Sequence, residues 1–233
     1  MRTLVINLER STDRRESISD RLAELGLPFE WHVGTDGGKL THQELELYSS
    51  RAAFAHLGRE MHRNEIGCIL SHIRVWKDFS NSTDEYVMVI EDDMLLDADL
   101  PELVRTLDWI PPEASVVNFS WDMSNPVDAK PVTDTRSLCR FDSEVMRTGS
   151  YILRRSGAVE LLRHAFPIRM PVDSLMGDER HIGTIYGITP RPVRWDDSKA
   201  SATWTDATME SFTSSSRTTF KGRFFRIFNR LVR

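Results

Sequence analysis

The sequence predicts an α/β fold, with helices flanking a mainly parallel sheet. The first strand is predicted at residues 4–8. Residues 86–90 form a near-continuous apolar run rich in β-branched residues, which is typical of a strand covered on both faces. A helical pattern lies between them over residues 64–79. Its apolar face consists of Ile66, Ile69, Leu70, Ile73 and Trp76. Strands and helices continue to alternate along the rest of the chain.

The N-terminal part is predicted to contain three strands and three helices. The strands span 4–8, 29–33 and 86–90, and the helices span 13–25, 41–57 and 64–79. Asp13-x-x-Glu16 has the spacing of a capping box at the start of the first helix, and Gly26 suits its end. Residues 35–38 form a predicted turn.

The C-terminal part is less regular. A helix is expected from Pro101 towards Trp109, a strand over 115–119, a loop or hairpin over 122–140 and a strand over 151–153. Ser156 is the predicted cap of a helix over 156–165. Residues 166–197 contain four prolines and are predicted to be rich in loops. We expect one domain over residues 1–200 and a linker over 201–216.

Composition excludes some classes of protein. The net charge is −5, but the six basic residues after Glu210 have no acidic partner there; without them 24 basic face 35 acidic side chains, a net of −11. An acidic body argues against nucleic-acid binding. No apolar run is long enough to cross a bilayer, and no signal peptide follows Met1. Cys68 and Cys139 match no zinc spacing, so both are predicted to be structural thiols in a reducing, cytoplasmic environment.

Residues 217–233 are predicted to form a basic amphipathic helix. Phe220, Phe224, Phe228 and Leu231 recur at helical spacing, and basic residues lie between them. This pattern is typical of a helix that lies on an anionic membrane, which predicts peripheral attachment to the inner face of the membrane. The alternative is a final helix packed on the body or a frayed end.

An acidic triplet follows the strand at 86–90. Alternation along an extended chain places Glu91 and Asp93 on the same side, and crowded carboxylates repel one another. Mn²⁺ or Mg²⁺, which prefer carboxylate oxygens, would remove that repulsion. Ligands of open α/β sheets also bind at the carboxyl ends of strands. A solvated acidic turn is the alternative interpretation.

The chain resembles glycosyltransferase family 25, which contains lipooligosaccharide and collagen galactosyltransferases. Four segments carry the resemblance, in the order of the family: Val5-Ile6-Asn7-Leu8-Glu9-Arg10 with Asp13-Arg14; Asn64-Glu65-Ile66-Gly67-Cys68-Ile69-Leu70-Ser71-His72 with Trp76; Val89-Ile90-Glu91-Asp92-Asp93; and Gly149-Ser150-Tyr151-Ile152-Leu153 with Gly157-Ala158 and Pro171-Val172-Asp173. The second segment is the most specific one.

The resemblance implies a GT-A-like (Rossmann-like) fold, a UDP-sugar donor and inversion at the anomeric carbon. It implies metal binding by Glu91 and Asp93, with Asp92 on the ribose or the donor sugar. Arg10 and Arg14 would contact the diphosphate, or are ordinary surface arginines. The remaining residues expected to bind substrate are Asn7, Asp13, Asp36, Ser71 and His72. His72 is alternatively a satisfied core histidine, and Asp36 alternatively makes only the turn.

An inverting transfer needs a general base for the acceptor hydroxyl. Asp173 is the first choice, with Asp178 and Glu179 in reserve, although Asp173 is alternatively a helix cap. His181 is considered as a third metal ligand.

The predicted activity is metal-dependent transfer of a hexose, galactose by resemblance, to a saccharide or lipid-linked saccharide in cell-surface glycan synthesis. The alternatives are a non-catalytic saccharide- or membrane-binding module and a Mg²⁺-dependent phosphoryl-transfer enzyme. The latter class is disfavoured because the chain has no P-loop pattern.

Overall fold

The computed structural model describes residues 1–196. In chain order the elements are β1 Arg2–Asn7, α1 Thr12–Glu24, β2 Glu30–Val33, α2 His42–Glu46, α3 Ser50–Leu57, α4 Arg63–Ser80, β3 Tyr86–Glu91, β4 Met94–Leu96, α5 Leu100–Arg105, β5 Ala114–Asn118, β6 Pro126–Pro131, β7 Ser137–Phe141, β8 Ser150–Arg154, α6 Arg155–His164, α7 Val172–Met176, α8 Glu179–Ile182, β9 Thr184–Thr189 and β10 Val193–Trp195. The predicted linker and basic helix lie outside the described residues.

Eight strands form one central sheet in the order β2-β1-β3-β8-β5-β9-β7-β6. The predicted α/β class, with helices flanking a central sheet, is confirmed. The sheet is mixed rather than mainly parallel. β1 pairs in parallel with β2 and β3, and β5 with β9, but β8 runs antiparallel between β3 and β5. β4 and β10 form a separate antiparallel pair.

Strand β3 is buried on both faces, which explains its continuous apolar run. Val87 and Val89 belong to the core layer that contains α4 and α6. Met88 and Ile90 belong to the opposite layer, with α1 and α5. The strand therefore fixes Glu91, at its carboxyl end, relative to both layers of helices.

Three local predictions were wrong. α1 begins after Ser11 without a side-chain cap, so Asp13-x-x-Glu16 is not a capping box. α6 begins after Arg154, which leaves Ser156 inside the first turn rather than at the cap. The helix predicted over 41–57 is two helices, α2 and α3; α2 ends after one turn, at the cap residue Leu47.

The predicted loop over 166–197 contains strand β9, which pairs with β5 and β7 in the central sheet. This strand was not predicted, because Gly187 and the neighbouring prolines are residues typical of loops. An added Cβ at Gly187 would lie 2.3 Å from the Phe141 ring, so the glycine allows that ring to pack directly on the strand. The region 122–140 is a hairpin, one of the two predicted forms. Between residues 1 and 196, no helix combines the length and hydropathy that a bilayer span requires.

Candidate active site

An open cleft lies where the parallel neighbours β1 and β3 end. Ile6 of β1 pairs with Glu91 of β3, so the residues that follow both strands meet at one edge of the sheet. The cleft is lined mostly by polar and charged side chains. It is lined by Ile6, Leu8, Arg10, Arg14, Gly34, Thr35, Gly37, Asn64, Cys68, Ser71, His72, Glu91, Asp92 and Asp93.

All three carboxylates of the acidic triplet line this cleft. Asp92 is held from two sides, because Asn7 Nδ2 donates to its Oδ2 at 2.7 Å and Arg14 Nη1 donates to its Oδ1 at 3.3 Å. Arg14 Nη1 also lies 3.2 Å from Asp93 Oδ2. The opening motif after β1 and the triplet after β3 therefore form one charged cluster.

The three carboxyl groups of this cluster carry more negative charge than the single positive charge of Arg14 offsets. Burial and the neighbouring charges of Asp173 and Asp92 raise the pKa of Glu91 to about 8. Burial and the charge of Glu91 raise the pKa of Asp93 to about 7. Asp93 Oδ1 is also buried without a hydrogen-bond partner in the described part of the chain. Carboxylates with raised pKa values and a buried orphan oxygen suit a hard divalent cation.

A second group of possible ligand atoms adjoins the triplet. Among residues 1–196, Cys68, His72 and Glu91 offer ligand atoms that all lie within 4.8 Å of one another. Burial raises the pKa of the Cys68 thiol well above its usual value, so the sulfur carries its proton and is a poor ligand for Mn²⁺ or Mg²⁺. The carboxylates of Glu91 and Asp93 are therefore the better candidates for holding such an ion.

His72 is fully buried between α4 and the sheet. Its Nδ1 lies 2.8 Å from Tyr151 Oη, and its Nε2 lies 3.1 Å from Glu91 Oε1. Burial lowers the pKa of His72 to about 4, so the ring is neutral at physiological pH. Both ring nitrogens have protein partners, which corresponds to the satisfied core histidine considered above.

The turn over 35–38 is anchored to α4. The Thr35 amide donates to Ser71 Oγ at 2.8 Å, and Ser71 Oγ donates to the Gly67 carbonyl. A Cβ on Gly67 would lie 2.6 Å from the Thr35 carbonyl oxygen. The Glu-Ile-Gly-Cys to Ser-His segment therefore requires Gly67 for close approach and Ser71 for attachment of the loop.

Arg10 and Asp36 lie at the entrance of the cleft. Arg10 Nε donates to Asp36 Oδ2 at 2.9 Å, and Asp36 Oδ1 accepts from the Gly38 amide. Both residues also line a second, adjoining depression with Lys39 and Arg74. Asp13 is exposed in the first turn of α1 and does not line either cavity.

Asp173 is half-buried in the first turn of α7 and accepts a hydrogen bond from Thr148 Oγ1 at 2.7 Å. Pro171, not Asp173, occupies the cap position of α7, so the helix-cap alternative is wrong. Burial raises the pKa of Asp173. Its charge in turn raises the pKa of Glu91, which places it close to the acidic cluster.

The reserve residues have other partners. Asp178 caps α8 and pairs with Arg180, whose hydrogen bond lowers the pKa of that carboxyl. Glu179 pairs with Arg140, and His181 lies against the His164 ring. None of these residues lines the cleft. His181 is also not part of the Cys68, His72 and Glu91 group.

The roles of Cys68, Thr148 and Tyr151 around this cleft were not predicted from the sequence. Tyr151 carried a usable signal, because a tyrosine in an otherwise apolar buried strand needs a partner for its hydroxyl. No comparable signal predicted that Thr148 and Asp173 lie close together, since 25 residues separate them in the chain.

Comparisons with known proteins agree with the motifs. Residues 1–176 match the family model described as glycosyltransferase family 25 (LPS biosynthesis protein). A procollagen galactosyltransferase 1-B of Xenopus laevis is 29% identical over 74% of this chain and 30% of its own length. A glycosyltransferase 25 family member of Drosophila pseudoobscura pseudoobscura is 29% identical over 74% of this chain and 29% of its own length. The chain thus spans about 30% of the length of these relatives.

A solved structure, the inositol-1-phosphate CTP transferase from T. maritima, aligns with a TM-score of 0.44 at 12% identity, over 94% of this chain and 98% of that one.

Proposed function

Because the chain belongs to glycosyltransferase family 25, we propose that it moves a hexose from a UDP-sugar to a saccharide acceptor with the help of a divalent cation. One observation carries the proposal. The cleft where β1 and β3 end gathers three carboxylates, two of which have strongly raised pKa values. The names of the relatives suggest galactose as the sugar, and the family description suggests a cell-surface glycan such as lipopolysaccharide as the acceptor.

The leaving group sets the electrostatic demand on the site. As the bond between the anomeric carbon and the β-phosphate oxygen breaks, negative charge grows on UDP. Mn²⁺ or Mg²⁺, held by Glu91 and Asp93, would supply the Lewis acid that neutralises this charge. Asn7 and Arg14 keep Asp92 oriented beside that site, where its carboxylate can accept hydrogen bonds from ribose or sugar hydroxyls.

Two arginines are placed for the diphosphate. Arg14 is largely buried between Asp92 and Asp93, and Arg10 is half-exposed at the entrance of the cleft. Guanidinium groups bind phosphate oxygens through two parallel hydrogen bonds. We therefore assign Arg14 to the inner phosphate and Arg10 to the outer part of the nucleotide.

Asp173 is the proposed general base. Burial raises its pKa towards the working range of a base, and Thr148 fixes its orientation. The carboxylate would take the proton of the acceptor hydroxyl while that oxygen forms its bond to the anomeric carbon, and UDP leaves from the opposite side. The configuration of the sugar is therefore inverted.

The test is UDP release from a panel of UDP-sugars in Mn²⁺, with and without saccharide acceptors, using the full chain. We expect acceptor-dependent UDP release with UDP-galactose, its abolition by EDTA, and at least a hundredfold loss in Glu91→Gln. The matched control is Glu102→Gln, exposed on α5. Binding of UDP-sugar without turnover would indicate a non-catalytic module, and release of inorganic phosphate would indicate phosphoryl transfer.

We further propose that residues 217–233 hold the protein at an anionic membrane on the cytoplasmic side. The support is the sequence pattern alone, in which aromatic residues alternate with six basic residues. A lipid-linked acceptor would then be presented at the same surface.

A further inference from the structure

A buried chain of hydrogen bonds runs from the core to the acidic cluster. Trp76 Nε1 lies 3.1 Å from Tyr151 Oη, which lies 2.8 Å from His72 Nδ1. His72 Nε2 lies 3.1 Å from Glu91 Oε1. Trp76 and Tyr151 are fully buried and His72 is 1% exposed. Three buried side chains thus lead to the carboxyl group of Glu91, which lines the cleft.

The direction of this chain follows from its first member. An indole N–H can only donate, so the Tyr151 oxygen accepts from Trp76. In the described part of the chain, the remaining partner of the Tyr151 hydroxyl is His72 Nδ1. The hydroxyl therefore donates to Nδ1, and the ring proton of neutral His72 resides on Nε2. Nε2–H consequently donates to Oε1 of Glu91.

We propose that His72 is a positioning residue for Glu91 and does not bind the donor. Its Nε2–H holds Oε1 of Glu91 against the core, which leaves the second oxygen for a cation in the cleft. Tyr151 and Trp76 act through His72 by fixing its tautomer. This inference rests on the proposed metal-dependent function.

The same tautomer argues against a soft metal site at Cys68, His72 and Glu91. Such a set of thiol, imidazole and carboxylate is typical of Zn²⁺. A ring nitrogen that carries a proton has no lone pair to offer, so His72 Nε2 cannot bind the ion while Tyr151 donates to Nδ1. The hydrogen-bond chain and a zinc site are therefore mutually exclusive.

The test measures the Mn²⁺ dissociation constant of the full chain without donor, by electron paramagnetic resonance of free Mn²⁺. Outer-shell partners of metal ligands are typically worth 10- to 100-fold in affinity. We expect a rise of about that size for His72→Leu and a smaller rise for Tyr151→Phe, which keeps the packing. His72→Gln, whose amide can donate from the Nε2 position, should recover most of the affinity. The matched control His164→Leu, half-buried on α6, should leave the constant unchanged.

Donor kinetics at saturating Mn²⁺ provide the second readout. The proposal predicts an unchanged KM for the UDP-sugar in His72→Gln and Tyr151→Phe. It is overturned if His72→Leu keeps its Mn²⁺ affinity but raises the donor KM, because His72 then contacts the donor. Equal loss of Mn²⁺ affinity in His72→Gln and His72→Leu also overturns it, as does Zn²⁺ binding that Cys68→Ser abolishes. Failure of the wild-type chain to bind Mn²⁺ would instead refute the proposed function itself, and this inference with it.

Discussion

Asp93→Asn should stabilise the metal-free fold while it abolishes activity. The substitution keeps the shape of the side chain but removes one carboxylate whose charge the folded site disfavours. Burial and the charge of Glu91 raise the pKa of Asp93 from 3.8 to about 7. The attraction of Arg14, 3.2 Å away, is already included in that net balance.

The size of the effect follows from the pKa shift. Each unit corresponds to about 1.4 kcal/mol, so ionising Asp93 costs the fold about 4 kcal/mol at most. Water entering the cleft and relaxation of the site reduce this cost, and we expect about 2 kcal/mol at pH 8. For a chain of this size that is a rise in Tm of about 4–8 °C.

The sign gives the pH window. A carboxyl whose pKa is higher in the folded than in the unfolded state binds its proton more tightly in the folded state. Its contribution to stability is complete below pH 3.8 and is lost as the pH rises to about 7. The advantage of Asp93→Asn should therefore be absent near pH 3.5 and grow to its full value above pH 7.

Saturating Mn²⁺ should reverse the order of stability. A ligand at a hundred times its dissociation constant stabilises the folded state by about 2.7 kcal/mol. We expect this gain for the wild type and little of it for the variant. The assay is thermal unfolding in EDTA and in Mn²⁺ across a pH series. The control is Asp20→Asn, exposed on α1, which should change neither curve by more than about 0.5 kcal/mol. A variant less stable than wild type in EDTA at pH 8, or equally stabilised by Mn²⁺, would refute the reasoning.

The remaining predictions concern the base, the loop and the tail. Asp173→Asn should lower kcat by 10²–10⁴-fold without weakening donor binding, and inactivity of Asp178→Asn alone would mean that the wrong carboxylate was chosen. Gly67→Ala should cost about 1–3 kcal/mol in denaturant unfolding, since its Cβ would meet the Thr35 carbonyl at 2.6 Å; Gly38→Ala, whose Cβ has only a side-chain atom at 3.3 Å, should cost less. Removal of residues 217–233 should leave the body folded and reduce co-sedimentation with anionic vesicles most strongly at low salt; equal binding of both forms would contradict the membrane role.

The elements that were predicted correctly from the sequence are those whose apolar residues follow a regular pattern along the chain. The apolar face of α4 and the continuous run of β3 follow from burial against one and two layers, respectively. Both elements could be predicted because the polarity of each residue reflects whether its side chain is buried. Strand β9 could not be predicted from the sequence, because its six residues include Gly187 and lie between a short helix and a proline-rich segment.

The resemblance to glycosyltransferase family 25 assigned Glu91, Asp92 and Asp93, Asn7 and Arg14 to one site, and the structure brings them together. This was possible because the carboxyl ends of neighbouring parallel strands meet at one sheet edge.

Only the tertiary structure decided which side chains pair with one another through hydrogen bonds and ion pairs. Residues 79 apart, His72 and Tyr151, are brought within hydrogen-bonding distance by the packing of α4 on β8, and the same packing removes both from solvent. Asp178 caps α8 and pairs with Arg180, and it does not line the cleft. Such contacts depend on distances between elements that are remote in the chain. The local sequence therefore determined which functional groups are present, and the fold determined which of them lie close enough to interact.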